Sequence, residues 1–159
     1  MAYNQFRRGE LYSVLTGMAS IAIARRLQKN FRQAGFDISV EQWSVLYHLW
    51  KEDGLSQQEL CVRSFRDKPS ITRLLDNMEK QGLVKRIPSP TDRRINLIIL
   101  TDISKNLKDS TTELANTTLN EGLEGVTKEE IETVKKVLQQ VYDNLTGAEI
   151  KNKEQENKK

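Results

Sequence analysis

The sequence predicts a mainly α protein with a small β-hairpin, and three observations carry that prediction. Ser56-Gln57-Gln58-Glu59-Leu60 opens a short helix, and a second amphipathic helix follows after a four-residue turn. The apolar period then switches from helical to alternating at Leu83–Ile87 and Ile95–Leu100, around a tip containing Pro88 and Pro90. Long helical patterns return on both sides of this block. Two helices joined by a short turn and followed at once by a hairpin make a winged helix-turn-helix. Its length of 159 residues suits one domain, or one core with a small appendage.

The elements follow in order. Residues 6–34 carry Leu11, Val14, Leu15, Met18 and Ile21 at helical spacing, with Ala19, Ala22, Ile23 and Ala24 crowding the stripe. A helix apolar on more than one face expects neighbours on more than one side. Leu11–Ala24 mimics a signal peptide, but Glu10, Ser13, Thr16 and Ser20 interrupt it and Arg25-Arg26 follows without a turn. The run is also too short to span a bilayer, so no membrane partner and a cytoplasmic location are expected. Gly35 stops the helix. Ser39 and Gln42 form a capping box for a second helix with Trp43, Leu46, Tyr47 and Trp50 as its apolar stripe. After the turn Glu52-Asp53-Gly54, Ser56 and Glu59 form another box and Leu55 can staple onto Leu60.

The short third helix ends near Ser64. The fourth accepts Pro69 in its first turn, buries Ile71, Leu74, Leu75 and Met78, and stops at Gly82. Beyond the hairpin, a fifth helix from Asp102 aligns Ile103, Leu107, Leu114 and Leu119. Thr127 and Glu130 cap a last helix through about Leu145, in which Ile131, Val134, Leu138, Val141 and Leu145 alternate in steps of three and four, as in a coiled-coil seam. From Ile150 on, Lys, Glu and Asn dominate and a frayed tail is expected.

Function is read from the polar surfaces. The fourth helix leaves Lys68, Ser70, Thr72, Arg73, Asp76 and Asn77 on its free face. Such a face suits a DNA major groove about 12 Å wide, where small side chains allow close approach and Arg73 can fork onto guanine or phosphate. The hairpin tip carries Arg93 and Arg94, and an extended basic tip suits the adjacent minor groove. Asp92 beside them is read as a brace that orients an arginine by a charge-assisted bond. A solvated amphipathic helix explains the fourth helix alone equally well; the basic wing breaks that tie.

The segments Ser56-Gln57-Gln58-Glu59-Leu60, Ile71-Thr72-Arg73-Leu74-Leu75-Asp76, Leu83-Val84 and Asp92-Arg93-Arg94 with Leu100-Thr101 resemble the MarR family of bacterial transcription regulators. The resemblance covers about residues 8–147. It implies a homodimer with interlocking terminal helices, a pseudo-palindromic operator and, in many members, release by a small phenolic or other amphipathic ligand. It carries groove-facing roles to Ser70, Thr72 and Arg73, the wing arginine to Arg94, and the wing-bracing carboxylate to Asp92. Lys68, Asn77 and Arg93 complete the expected DNA-binding set. Phe65-Arg66-Asp67 and Pro69 depart from the family pattern, so base preference does not carry over. The implied organisation is one protomer over 1–159, with dimerisation helices at 1–35 and 102–147, a DNA-binding region at 53–101 and a flexible tail at 148–159.

Met18, Ile21, Trp43, Tyr47 and Trp50 are candidates for a ligand pocket, although aromatic stripes are more often plain core. Cys61 reads as a buried thiol and His48 as a satisfied or surface imidazole. One cysteine and one histidine exclude an intrachain disulfide and a Cys-based or multi-histidine metal site. No cofactor is expected, and no phosphate loop, triad or paired-carboxylate motif suggests an enzyme. A winged-helix protein-interaction module is the alternative, but it has no need of arginine at both the helix face and the wing. Charge is unevenly placed: residues 63–101 carry 9 basic and 4 acidic groups, residues 102–159 carry 9 and 12. The basic surplus sits on the helix-turn-helix and wing.

Overall fold

In the computed structural model, which describes residues 17–156, helix α1 spans Met18–Gln33 and α2 spans Val40–Lys51. The two-residue strand β1, Leu55–Ser56, leads into α3, Gln57–Ser64, and then α4, Lys68–Lys80. Strands β2, Val84–Pro88, and β3, Asn96–Leu100, form the hairpin. Helices α5, Asp102–Asn106, α6, Lys108–Gly122, and α7, Lys128–Glu156, complete the chain. The part of the first helical pattern on residues 6–16 lies outside the described residues. These fall into two compact units, residues 20–120 and, flanking them in sequence, 17–19 with 121–156.

Capping chemistry sets the helix starts. Ser39 with Gln42 and Ser56 with Glu59 form reciprocal boxes, and Thr127 with Glu130 repeats the pattern at the start of α7. Asp67, read from sequence as a turn residue, is the N-cap of α4. Its two oxygens accept the Ser70 backbone N–H and hydroxyl, each at 2.8 Å. Phe65 closes α3 in the left-handed region at φ 52°, a conformation uncommon for a side chain other than glycine.

The sheet runs β1-β3-β2, antiparallel throughout, with Leu55 opposite Ile98 and Arg86 opposite Ile98 from the other side. Strand β1 is too short for any sequence pattern to reveal. It exists because Asp53 Oδ1 accepts the Leu100 backbone N–H at 2.9 Å, and Gly54, at φ 82°, turns its own N–H onto the Ile98 carbonyl. The core of this unit gathers Leu27 and Phe31 of α1, Leu46 and Leu49 of α2, Leu60 of α3, Ile71, Leu75 and Met78 of α4, and Ile98 of β3. Each such side chain contributes about 1.5–3 kcal/mol by leaving water.

Three elements differ from the sequence reading. The stripe of α2 is rotated: Gln42, Val45, Leu46 and Leu49 are buried, while Trp43 and Trp50 are half-buried beside it and Tyr47 is exposed. The expected fifth helix breaks at Leu107, where the Thr111 hydroxyl competes for the Leu107 carbonyl (2.6 Å) with its own backbone N–H. Back-bonding of this kind bends helices. Helix α7 runs to Glu156, beyond the expected end near Leu145; the Lys, Glu and Gln after Ile150 are good helix formers with no proline among them.

Candidate nucleic-acid interface

The recognition surface is assembled from α3, α4 and the wing. Packing of Leu60 against the buried face of α4 sets the crossing of the two helices, and Gln57 Nε2 donates to Thr72 Oγ1 at 2.7 Å to lock it. On α4, Ser70, Arg73 and Asn77 are exposed and spaced three and four apart, so they share one face; Lys68 is exposed in the first turn. Thr72 departs from its expected place. It is half-buried, and its hydroxyl donates to the Lys68 carbonyl at 2.8 Å while accepting from Gln57. It joins two helices instead of reaching outward. The Ser70 hydroxyl donates to the Asp67 cap, so Ser70 offers a small surface and acceptor lone pairs but no proton.

The wing is held by local turns. Ser89, buried at the tip, donates its N–H to the Ile95 carbonyl at 2.8 Å, and the Ile95 N–H donates to the Asp92 carbonyl at 3.0 Å. Asp92 Oδ1 accepts the Arg94 backbone N–H at 3.0 Å. Asp92, expected to brace the wing through a guanidinium, here contacts the main chain of Arg94, as short acidic side chains do in turns. Arg93 and Arg94 both stand exposed on the tip.

Helix and wing meet around a groove of about 290 Å³. Its walls are Ser56, Gln57 and Gln58 at the start of α3, Lys68 at the start of α4, and Arg94 to Asn96 of the wing. Two cations beside a helix N-terminus, whose backbone N–H groups carry partial positive charge, make a cradle for an anion such as a phosphate group.

Arg86 is a residue of this surface that the sequence reading did not single out. From β2 it reaches back to α4, pairing Nη2 with Asp76 Oδ1 at 2.7 Å and Nη1 with Glu79 Oε2 at 2.5 Å. Its backbone N–H donates to Glu79 Oε1 at 3.2 Å. Burial opposes its charge, but the bonds to Asp76 and Glu79 outweigh that and hold the pKa above its usual value. The clamp ties the wing to α4 and offsets one of the two negative charges on Asp76 and Glu79. A signal was present: strand alternation puts Arg86 on the inward side with Val84, and Asp76 and Glu79 lie one helical turn apart.

The five residues expected to line a ligand pocket are not gathered around one cavity among the described residues. Met18 is 64% exposed and Ile21 52% exposed. Trp50 donates its indole N–H to the Ser104 carbonyl at 3.0 Å and acts as a tie to α5. Tyr47 stacks on Trp43 and carries Lys51 Nζ 4.2 Å above its ring. Of the five candidates, Trp43 alone lines an apolar cavity of about 370 Å³. Its other walls are Ile23, Ala24 and Leu27 of α1, Val40 of α2, and Ala115 and Leu119 of α6, with Ser20 and Ser44 as polar members. His48 is half-buried; burial, then Arg63 and Lys51, hold its pKa below the ordinary histidine value. Cys61 is buried. Among the described residues no helix is long and apolar enough to cross a membrane, and no three His, Cys, Asp or Glu groups gather to hold a metal ion.

A short helix crossed on a second whose polar face is free, with a braced basic wing beside it, defines a winged helix-turn-helix protein. Comparison with known proteins narrows this class. A family model described as the MarR family matches residues 36–95. The chain is 34% identical to the HTH-type transcriptional regulator TtmR of Methylorubrum extorquens over 70% of its own residues and 56% of that protein's. It spans 65% of the length of another curated relative. The S. aureus MepR–DNA complex superposes with a TM-score of 0.75 and 28% identity, covering 84% of this chain and 97% of that one. CouR from Rhodococcus jostii RHA1, bound to p-coumaroyl-CoA, gives 0.69 and 26%, covering 84% and 90%. The chain is also 30% identical to the HTH-type transcriptional regulator YdgJ of Bacillus subtilis, over 70% of its own residues and 68% of that protein's, and it belongs to the MarR family of transcription regulators.

Proposed function

We propose that the protein is a sequence-specific DNA-binding regulator, a homodimeric repressor that occupies a pseudo-palindromic operator and leaves it when a small ligand binds. The observation that carries this reading is the groove where Lys68, Arg94 and the start of α3 converge, beside the exposed face of Ser70, Arg73 and Asn77. In this reading α4 enters the major groove, Arg73 and Asn77 meet base edges, Lys68 and Arg94 hold phosphates, and Arg93 follows the wing toward the minor groove. Asp92 braces the wing through the Arg94 backbone. Homodimerisation is supported by the seam of α7, where Val134, Leu138 and Leu145 expose apolar side chains in the single chain. A two-fold dimer sets its two recognition helices about one DNA turn apart. The apolar cavity at Trp43 supports an effector site, and the MepR and CouR complexes support DNA and small-molecule partners.

Fluorescence anisotropy with DNA from the promoter of its own gene tests the reading, with a scrambled duplex as control. Preferential binding that weakens steeply as salt rises is expected, because each phosphate contact releases counterions. Equal binding to both duplexes, or a flat dependence on salt, contradicts it.

A further inference from the structure

The outward face of α1 changes character along its length. Ile21 and Ala22 leave apolar surface exposed. One turn further on, Arg25, Lys29 and Arg32 follow at steps of four and three, all exposed, on the side opposite the buried Leu27 and Phe31. Arg26 adds a fourth cation, and the helix contains no Asp or Glu. Among the described residues no ion pair involves Arg25, Lys29 or Arg32. Arg25 and Lys29 are like charges four residues apart, a spacing that weakens a helix. The helix dipole favours cations in its last turn, where Arg32 is the basic residue. Neither helix stability nor pairing within the described chain accounts for the whole stripe.

The C-terminal end of the stripe joins the candidate DNA surface. Arg32 shares the wall of a polar cavity of about 370 Å³ with Leu74 and Asn77 of α4. Asn77 belongs to the exposed face assigned above to base edges. Asp37 lies in the same wall but makes no ion pair with Arg32. We infer that Arg25, Lys29 and Arg32 form a further DNA contact, holding phosphates beside the bases that α4 reads. The inference rests on the DNA-binding reading above and adds a contact outside the helix-turn-helix and wing. The stripe covers about 10 Å at 1.5 Å per residue, and a duplex carries one phosphate charge per about 1.7 Å of its axis. Several phosphates therefore fall within its reach. Such contacts fix position and add affinity without reading sequence.

The test uses the full chain, the promoter duplex and its scrambled control, and compares the wild type with the triple variant Arg25→Gln, Lys29→Gln and Arg32→Gln. At low salt the variant is expected to bind both duplexes at least about tenfold more weakly, with the preference between them retained. Its salt slope is expected to fall by about five, from about three phosphate contacts in each protomer of a dimer. Arg25→Lys with Arg32→Lys keeps the charge and is expected to retain wild-type affinity and slope. Where the triple variant melts below the wild type, Arg25→Gln alone carries the test, with a slope lower by about two. Unchanged affinity and slope in the neutralised variants overturn the inference and leave the DNA-binding reading standing. Equal weakening in the lysine variant also overturns it, since charge is then not the cause. Dissociation of the dimer by the triple variant in analytical ultracentrifugation assigns the stripe to the acidic C-terminal segment of a second copy, and likewise overturns it. A wild-type protein that binds neither duplex overturns the DNA-binding reading together with the inference.

Discussion

Arg73, Arg94 and Arg86 belong to one residue type and do three different things. Arg73 is exposed on α4, Arg94 lines the groove, and Arg86 is turned inward onto Asp76 and Glu79. Arg73→Ala is expected to weaken operator binding by about 1–3 kcal/mol and to relax base preference at one position, read by anisotropy on single-base variants. Arg94→Ala is expected to weaken all sequences alike and to lower the salt slope by about one. Arg86→Met leaves two carboxylates without their partner and is expected to weaken binding to every sequence with helix content retained by circular dichroism. Arg73 was legible from helical periodicity, and Arg94 from the basic, proline-containing turn and the family motif Asp92-Arg93-Arg94. Arg86 was not, because its partners are brought near only by the fold of the wing. The hydroxyl bonds of Thr72 were not legible for a related reason: polarity marks a free face, yet a threonine hydroxyl can also bond to its own helix. His48 gives a pH signature. Its imidazole is held below the ordinary value in the folded protein, so the unfolded chain binds the proton first as pH falls. Stability that is complete above about pH 6.5 is therefore expected to decline on acidification below it, and His48→Gln to remove that component from the dependence of Tm on pH.

The helices announce their own starts, and the hairpin its own turn. Ser39, Ser56 and Thr127 were each visible as Ser/Thr followed three residues later by Gln or Glu, and the structure has all three boxes. Ser39→Ala, remote from the proposed DNA face, is expected to cost about 1 kcal/mol of stability in thermal or denaturant melts. Boundaries set by tertiary contact were not visible. Strand β1 depends on Asp53 bonding across to Leu100, 47 residues away, and the break between α5 and α6 falls at Leu107, whose carbonyl accepts both the N–H and the hydroxyl of Thr111. The aromatic residues of α2 were read as its stripe because their spacing is helical. They instead flank the buried stripe, where each indole finds a hydrogen-bond acceptor on another helix.

At the scale of the molecule, the weak net charge of +3 divides into a surplus on residues 63–101 and an acidic C-terminal segment. That division places positive charge where the groove and wing lie, and a dimer doubles it. The exposed apolar seam of α7 is where the proposed dimer contact falls. Leu138→Asp is expected to convert the dimer to monomers in analytical ultracentrifugation and to weaken operator binding, since each half-site is then held alone. Selection of binding sites from random duplex DNA by the purified wild-type protein asks most directly whether this is a dimeric, sequence-specific regulator. The account predicts enrichment of a pseudo-palindrome whose half-site centres lie about 10 base pairs apart. Recovery of sequences with no common motif, or of single half-sites without a symmetric mate, contradicts it.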